Sequence, residues 1–221
     1  DMRIIARFSK LSETRFVSHL DIQRLFGRVF RRAGIPVAYS QGFNPHPVLS
    51  FATALSTGVT SSAEWLDVRL DAPVECSAFI RELNTSLPYG FKVTEAYEAD
   101  DRLPALTALL KSADYSVVFD RNTASARLSD ALERLLSGPI NIMKRTKSGV
   151  KPFDMRPQVK NAHISEENGF TVLHVEGILD ATGSLNADSF TKELLKTAEI
   201  DADYSINRDA VYFENGTQKP F

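Results

Sequence analysis

Residues 18–36 read Ser18-His19-Leu20-Asp21-Ile22-Gln23-Arg24-Leu25-Phe26-Gly27-Arg28-Val29-Phe30-Arg31-Arg32-Ala33-Gly34-Ile35-Pro36. Both ends of a helix are written into this stretch. Ile22, Leu25, Phe26, Val29, Phe30 and Ala33 recur at the spacing that places them on one helical face. Ser18 with Asp21 three residues on forms a capping-box pair, and Gly34 followed by Pro36 ends the helix. Before it, residues 3–8 alternate and contain β-branched side chains, which reads as a strand. After it, Pro36–Ser40 reads as a second strand. Strand, helix and strand in that order open a βαββαβ pattern.

The pattern continues outward. A Pro/Gly-containing loop spans 41–47, a third strand covers about 48–57, and Glu64–Leu70 is another short strand. Pro73 opens a helix with Phe79, Ile80, Leu83 and Leu87 inward, and Phe91–Tyr97 closes the unit as a strand. After an acidic hinge at 98–102 and a short helix over about 104–112, the order recurs. Strands are expected at 115–119, 140–144, 158–164, 170–178 and 204–213, with helices at 124–136 and 187–196. A loop is expected over 147–157. Asn168-Gly169 is the strongest hairpin signal in the chain. The fold class expected is α+β, two tandem ferredoxin-like (βαββαβ) halves with antiparallel sheets. Their boundaries are 2–98 and 103–215.

Composition sets the frame. The 221 residues are 43% hydrophobic and 24% charged, ordinary values for a globular chain. No apolar run approaches the roughly 18 residues of a membrane span, so no membrane contact is expected. The opening residues lack the apolar block of a signal peptide, and the cytoplasm is the expected compartment. One cysteine, Cys76, excludes an internal disulfide and any multi-cysteine zinc or iron–sulfur site within the chain.

The net charge of −2 hides a pattern. Residues 1–60 hold 8 Lys/Arg against 3 Asp/Glu, and residues 139–163 hold 6 against 1. The intervening 61–138 hold 8 against 13, and 164–221 hold 4 against 11. Two basic segments separated by acidic ones suit an anionic polymer. Charge clustering on solvated faces is the plain alternative.

Three groups of residues carry the chemistry. Tyr39-Ser40-Gln41-Gly42-Phe43-Asn44-Pro45-His46-Pro47 sets an aromatic ring, two amides and an imidazole between stiffening prolines, groups that suit unstacked bases. A rigid strand connection with Phe43 in the core is the structural alternative. Arg15, His19, Arg24, Arg28, Arg31 and Arg32 form a basic face opposite the apolar stripe of the first helix, available for phosphates. Lys144, Arg145, Lys147 and Lys151 form a basic hairpin tip, followed by Arg156, with Asp154 capping a turn or pairing with Arg156. The four histidines show no metal spacing, and no nucleotide or nucleophile-elbow motif appears. No catalytic residue, metal or cofactor is therefore expected. His19 or His46 as the general base of a metal-independent endoribonuclease is the one catalytic route left open.

Arg7-Phe8-Ser9-Lys10, Arg15-Phe16-Val17-Ser18-His19-Leu20-Asp21 and the run from Arg31 to Pro47 resemble one family closely. So do Leu49-Ser50-Phe51, Gly58-Val59, Glu64-Trp65-Leu66-Asp67, the run from Lys147 to Lys151 and Asp154-Met155-Arg156-Pro157. The family is the radical-SAM-linked bacterial domain of unknown function. The resemblance implies a radical SAM protein, encoded separately, as partner and as the holder of cluster and cofactor.

The expected function is a non-catalytic RNA-binding accessory module acting with that enzyme in tRNA or rRNA modification, with no DNA partner. A protein–protein adaptor without RNA contact is the rival. The residues expected to touch RNA or partner are Arg15, His19, Arg24, Arg28, Arg32, Tyr39, Gln41, Phe43, Asn44, His46, Lys144, Arg145, Lys147, Lys151 and Arg156.

Overall fold

The computed structural model describes residues 2–146 and 149–221. The chain forms two compact units, residues 1–110 with 213–221, and residues 111–212.

In the first unit β1 (Met2–Lys10) leads to α1 (His19–Arg32), β2 (Leu49–Phe51), β3 (Val59–Leu70), α2 (Cys76–Ser86), β4 (Phe91–Glu98) and the short α3 (Leu106–Leu109). β1 pairs antiparallel with both β3 and β4, and β2 pairs antiparallel with β3. The strand order is therefore β4-β1-β3-β2. Ser18 caps α1 by accepting the Asp21 backbone N–H, as its spacing predicts. Ile22, Phe26, Val29 and Phe30 are buried against Ile4, Ala6 and Phe8 of β1 and Leu66 and Val68 of β3. The Phe26 ring lies 4.9 Å from that of Phe8. This aromatic-rich seam fixes α1 to the sheet and leaves its arginine face outward.

The segment before α1 is held by Lys10. Its side chain is fully buried, and its ammonium donates to the carbonyls of Arg15 and Val17 at 3.0 Å each. Arg3 does the same for residues 100–104. It pairs with Asp67 at 2.7 Å and donates to the carbonyls of Asp100, Leu103 and Pro104. The acidic stretch at 98–102 is thus tied to the first unit.

The second unit runs β5 (Leu110–Phe119), α4 (Ser125–Leu136), β6 (Asn141–Thr146), β7 (Gly149–Asp154), β8 (Val159–Glu167), β9 (Phe170–Asp180), β10 (Gly183–Ser184), α5 (Ala187–Ala198) and β11 (Tyr204–Phe213). β9 pairs antiparallel with β5, β8 and β10, and β11 lies beside β5. β6 and β7 form a separate two-stranded antiparallel ladder. The Asn168-Gly169 turn has φ of 51° and 77°, the left-handed pair that a tight hairpin requires.

Several expected elements are corrected. Residues 36–40 make only isolated bridges, Val37 to Leu70 and Tyr39 to Pro47, because Pro36 and Pro47 cannot donate to a ladder. The strand expected over 48–57 stops at Phe51. The one expected at 64–70 begins at Val59, its polar start at Thr60, Ser61 and Ser62 hiding a strand that packs. The helix expected over 104–112 shrinks to Leu106–Leu109, and the strand after it begins at Leu110 instead of 115. The expected loop at 147–157 contains β7, an exposed strand with no apolar alternation to betray it.

Candidate functional site

The loop after α1 folds back on itself. Val48 N–H donates to the Ala38 carbonyl and Ser40 N–H to the His46 carbonyl. Ser40 Oγ accepts the His46 backbone N–H at 3.1 Å and lies 2.9 Å from His46 Nδ1. This clasp leaves Gln41, Gly42, Phe43 and Asn44 as an exposed tip. Gly42 has φ of 140°, which favours glycine. Phe43 is fully exposed, so the reading that placed it in the core is set aside. Tyr39 is exposed beside the clasp.

The closed end of the loop, His46-Pro47, leans on the middle of α1. An ideal Cβ on Gly27 would stand 3.7 Å from Pro47 Cγ. Between helix and loop lies a cleft of about 460 Å³ lined by Gln23, Arg24, Gly27, Arg28, Arg31, His46, Pro47 and Leu49. Arg24, Arg28 and Arg31 follow one another at the four- and three-residue intervals that stack side chains along one helical face, about 6 and 4.5 Å apart along the axis. Arg24 pairs with Asp21 at 3.4 Å, both side chains being exposed, an arrangement worth little. Arg28 and Arg31 have no ion pair among the described residues. A guanidinium row with apolar lining and an imidazole beside it can hold phosphate oxygens in bidentate fashion and cover an attached planar group.

On the other side of the same wall is a second cleft of about 450 Å³, with Ser40, His46, Ser50, Asp67, Arg69 and Asp101 among its lining. Here the charges are matched: Arg69 pairs with Asp101 at 2.6 Å and Arg3 with Asp67. His46 borders both clefts.

The structure thus unites Arg24, Arg28 and His46, and adds Gln23 and Arg31, which the sequence left outside the expected contact set. Their signal was the helical interval itself. Arg15 lies elsewhere, its guanidinium 4.8 Å from the Phe16 ring centre. Arg32 donates to the Ser86 carbonyl at the end of α2. His19 sits in the first turn of α1, edge-on to Phe51 at 5.5 Å and 3.1 Å from the Gln23 amide. Burial pushes its imidazole below the usual histidine range, with Glu64 pulling the other way.

In the second unit, the β6–β7 ladder sets Lys144 directly opposite Lys151 and Arg145 opposite Val150, all exposed. Lys147 lies outside the described residues. Met143 and Val150 are exposed apolar neighbours at 67% and 57%. Arg156 is turned into the chain, donating to the carbonyls of Leu136 and Val159. Asp154 caps the turn by accepting the backbone N–H groups of Ile140 and Arg156. Among the described residues no group of three or more His, Cys, Asp or Glu is placed to hold a metal ion. No helix is long and apolar enough to cross a membrane.

A family model described as an uncharacterized protein conserved in bacteria (DUF2344) matches residues 3–187. No curated protein matches the chain. Among solved structures, a chain of a Cbf5-Nop10-Gar1 complex is similar at 11% identity and a TM-score of 0.51. The match covers 93% of this chain and 48% of that one, so the chain spans about half the length of that neighbour. An unknown protein from Galdieria sulphuraria aligns over 93% of this chain and 98% of its own at 11% identity, with a TM-score of 0.28. The first likeness concerns the mixed α+β fold, with its largely antiparallel sheet structure; the second is too slight to carry an argument.

Proposed function

The chain belongs to this bacterial family, and we propose that it is an RNA-binding accessory module whose phosphate contacts are made in the α1 cleft. The carrying observation is the row Arg24, Arg28 and Arg31 facing His46 across a partly apolar cleft, with Arg28 and Arg31 unneutralised among the described residues. A solvated basic face has no need of a wall opposite it; a phosphate-binding cleft does. The exposed loop tip, with Phe43 and the amides of Gln41 and Asn44, supplies a stacking ring and edge-reading groups. The paired lysines of the β6–β7 ladder supply a further phosphate contact. Each unit is read as a ferredoxin-like half. The orders β4-β1-β3-β2 and β11-β5-β9-β8, with two helices of at least 11 residues in each unit, support that reading.

The proposed partner is a radical SAM enzyme acting on tRNA or rRNA. The chain's one cysteine, half-buried Cys76, does not fit the thiolate set of an iron–sulfur cluster. Cluster chemistry therefore belongs to the partner in this reading, and the present residues bind and orient the nucleic acid.

Binding of total RNA across a salt series, for wild type and an Arg24→Glu/Arg28→Glu variant, tests the proposal. Wild type is expected to weaken with salt, and the variant to lose affinity and about 1.4 of the log–log slope, from about 0.7 per single-strand phosphate contact. No affinity in wild type at low salt, or equal affinity in the variant, removes the reading.

A further inference from the structure

We propose that the first unit carries a second nucleobase site on its sheet, built from Tyr97, Trp65 and Arg7, and that residues 214–221 close over it. The inference rests on the RNA reading but on none of the cleft residues.

Successive residues of a strand point to opposite faces. Ile4, Ala6 and Phe8 pack under α1, so Arg3, Ile5 and Arg7 lie on the other side of the sheet. There Trp65 of β3 stands opposite Arg7 of β1, which stands opposite Glu95 of β4. One row along, Ile5 separates Asp67 from Tyr97. The Tyr97 and Trp65 rings are stacked, with centroids 6.5 Å apart and planes at 26°.

Two donors in this row are buried without an acceptor among the described residues, Trp65 Nε1 and Arg7 Nε. Trp65 is only 1% exposed, so solvent does not reach its ring. Buried donors are rarely left unpaired, and two neighbours in that state point to a group that brings acceptors.

The outer side of Tyr97 is occupied by the chain itself. The Phe221 ring stands edge-on to it at 5.0 Å, and the Lys219 ammonium lies 4.7 Å from its centre. Lys219 also bonds the Tyr97 hydroxyl and pairs with Glu95 at 3.3 Å. These are the contacts that a base and a cation make with an aromatic side chain. Residues 214–219 are exposed. Asn215, Thr217 and Lys219 hold one another through short-range hydrogen bonds. The segment is a preformed turn hinged where Glu214 N–H donates to the Leu109 carbonyl, and lifting it beyond that hinge gives up the Lys219 and Phe221 contacts and the burial of Pro220. A planar base with ring carbonyls would take the Phe221 place against Tyr97 and offer acceptors toward the Trp65 and Arg7 donors.

Trp65 is the one tryptophan of the chain, so its emission reports on this face alone. The test uses the full chain and a short single-stranded oligouridylate. A Lys219→Ala/Phe221→Ala variant is expected to bind about tenfold more tightly than wild type, the worth of one stacked base, with quenching of Trp65 emission. Unchanged affinity together with unchanged emission overturns the site while leaving the α1 cleft standing. If the Arg24→Glu/Arg28→Glu variant binds as wild type does and the Lys219/Phe221 variant still gains affinity with quenching, the cleft reading fails and this one holds. If no form binds the oligonucleotide, both fail.

Discussion

Lys144 and Lys151 stand directly opposite each other across the β6–β7 ladder, and the Lys144 ammonium lies 4.6 Å from the centre of the Phe153 ring. Like charges at a directly opposed position weaken a ladder, so the hairpin keeps a repulsion that a bound anion relieves. Lys151→Glu converts the repulsion into a cross-strand ion pair. The variant is expected to gain a few tenths of a kcal/mol in stability, read from its urea midpoint, and to bind RNA more weakly with a shallower salt dependence. Stabilisation without loss of binding would remove the hairpin from the RNA surface.

Lys10 supports α1 from beneath. Its fully buried ammonium holds the carbonyls of Arg15 and Val17, the residues that lead into the Ser18 cap. Lys10→Met keeps the length of the side chain and removes the charge and its donors. Hydrogen bonds from a charged group contribute about 1.5–3 kcal/mol each, so a loss of about 3 kcal/mol or more is expected in urea unfolding. A loss below 1 kcal/mol, on the scale of an ordinary surface change, would show that the loop is held by other means.

Much of this architecture is legible in the residues themselves. Ser18 and the Ile22–Phe30 stripe mark α1, Asn168-Gly169 marks its hairpin, and the last strand alternates from Ser205 to Ala210. These elements are local, each set by its own spacing and turn chemistry. The polar Thr60, Ser61 and Ser62 hide the start of the strand Val59–Leu70, whose place in the ladder is set by pairing with β1, more than 50 residues away. β7 leaves no mark in the sequence because neither of its faces is buried. For the site, the arginine face was plain, whereas the cleft depends on Pro47 closing against Gly27. No periodicity records that contact. The charge of Arg156 suggests a phosphate ligand, and only the fold shows its guanidinium bonded to two carbonyls.

Asp114 gives a pH-dependent prediction. Burial raises its carboxyl above the ordinary range, Glu176 and Asp209 add to the rise, and the Tyr212 hydroxyl opposes it from 2.7 Å. A carboxyl raised in the folded state binds its proton more tightly there than in the unfolded chain. Its contribution to stability is therefore present below the unfolded value of 3.8 and lost as pH rises through the folded value. Asp114→Asn keeps an oxygen acceptor for Tyr212 and carries no charge. The variant is expected to melt above wild type at pH 7, with the difference shrinking as pH falls toward 4. A melting temperature below wild type at pH 7 would show that the ionised carboxylate is stabilising there.

The Ser40–His46 clasp connects loop geometry to the cleft. Ser40 Oγ accepts the His46 backbone N–H and lies 2.9 Å from Nδ1, with the Asn44 carbonyl 3.5 Å from the same ring nitrogen. With Nδ1 engaged inside the loop, Nε2 is the ring nitrogen left to meet a phosphate oxygen. Ser40→Ala removes both contacts from an exposed position. The cost to folding is expected to stay under about 1 kcal/mol, because water can satisfy the freed groups. RNA affinity is expected to fall several-fold, since His46 then loses its fixed place in the cleft wall. Ser40→Thr, which keeps the hydroxyl, is expected to restore binding. Equal affinities in wild type, Ser40→Ala and Ser40→Thr, measured beside matched urea midpoints, would show that His46 borders the cleft without contacting what it holds.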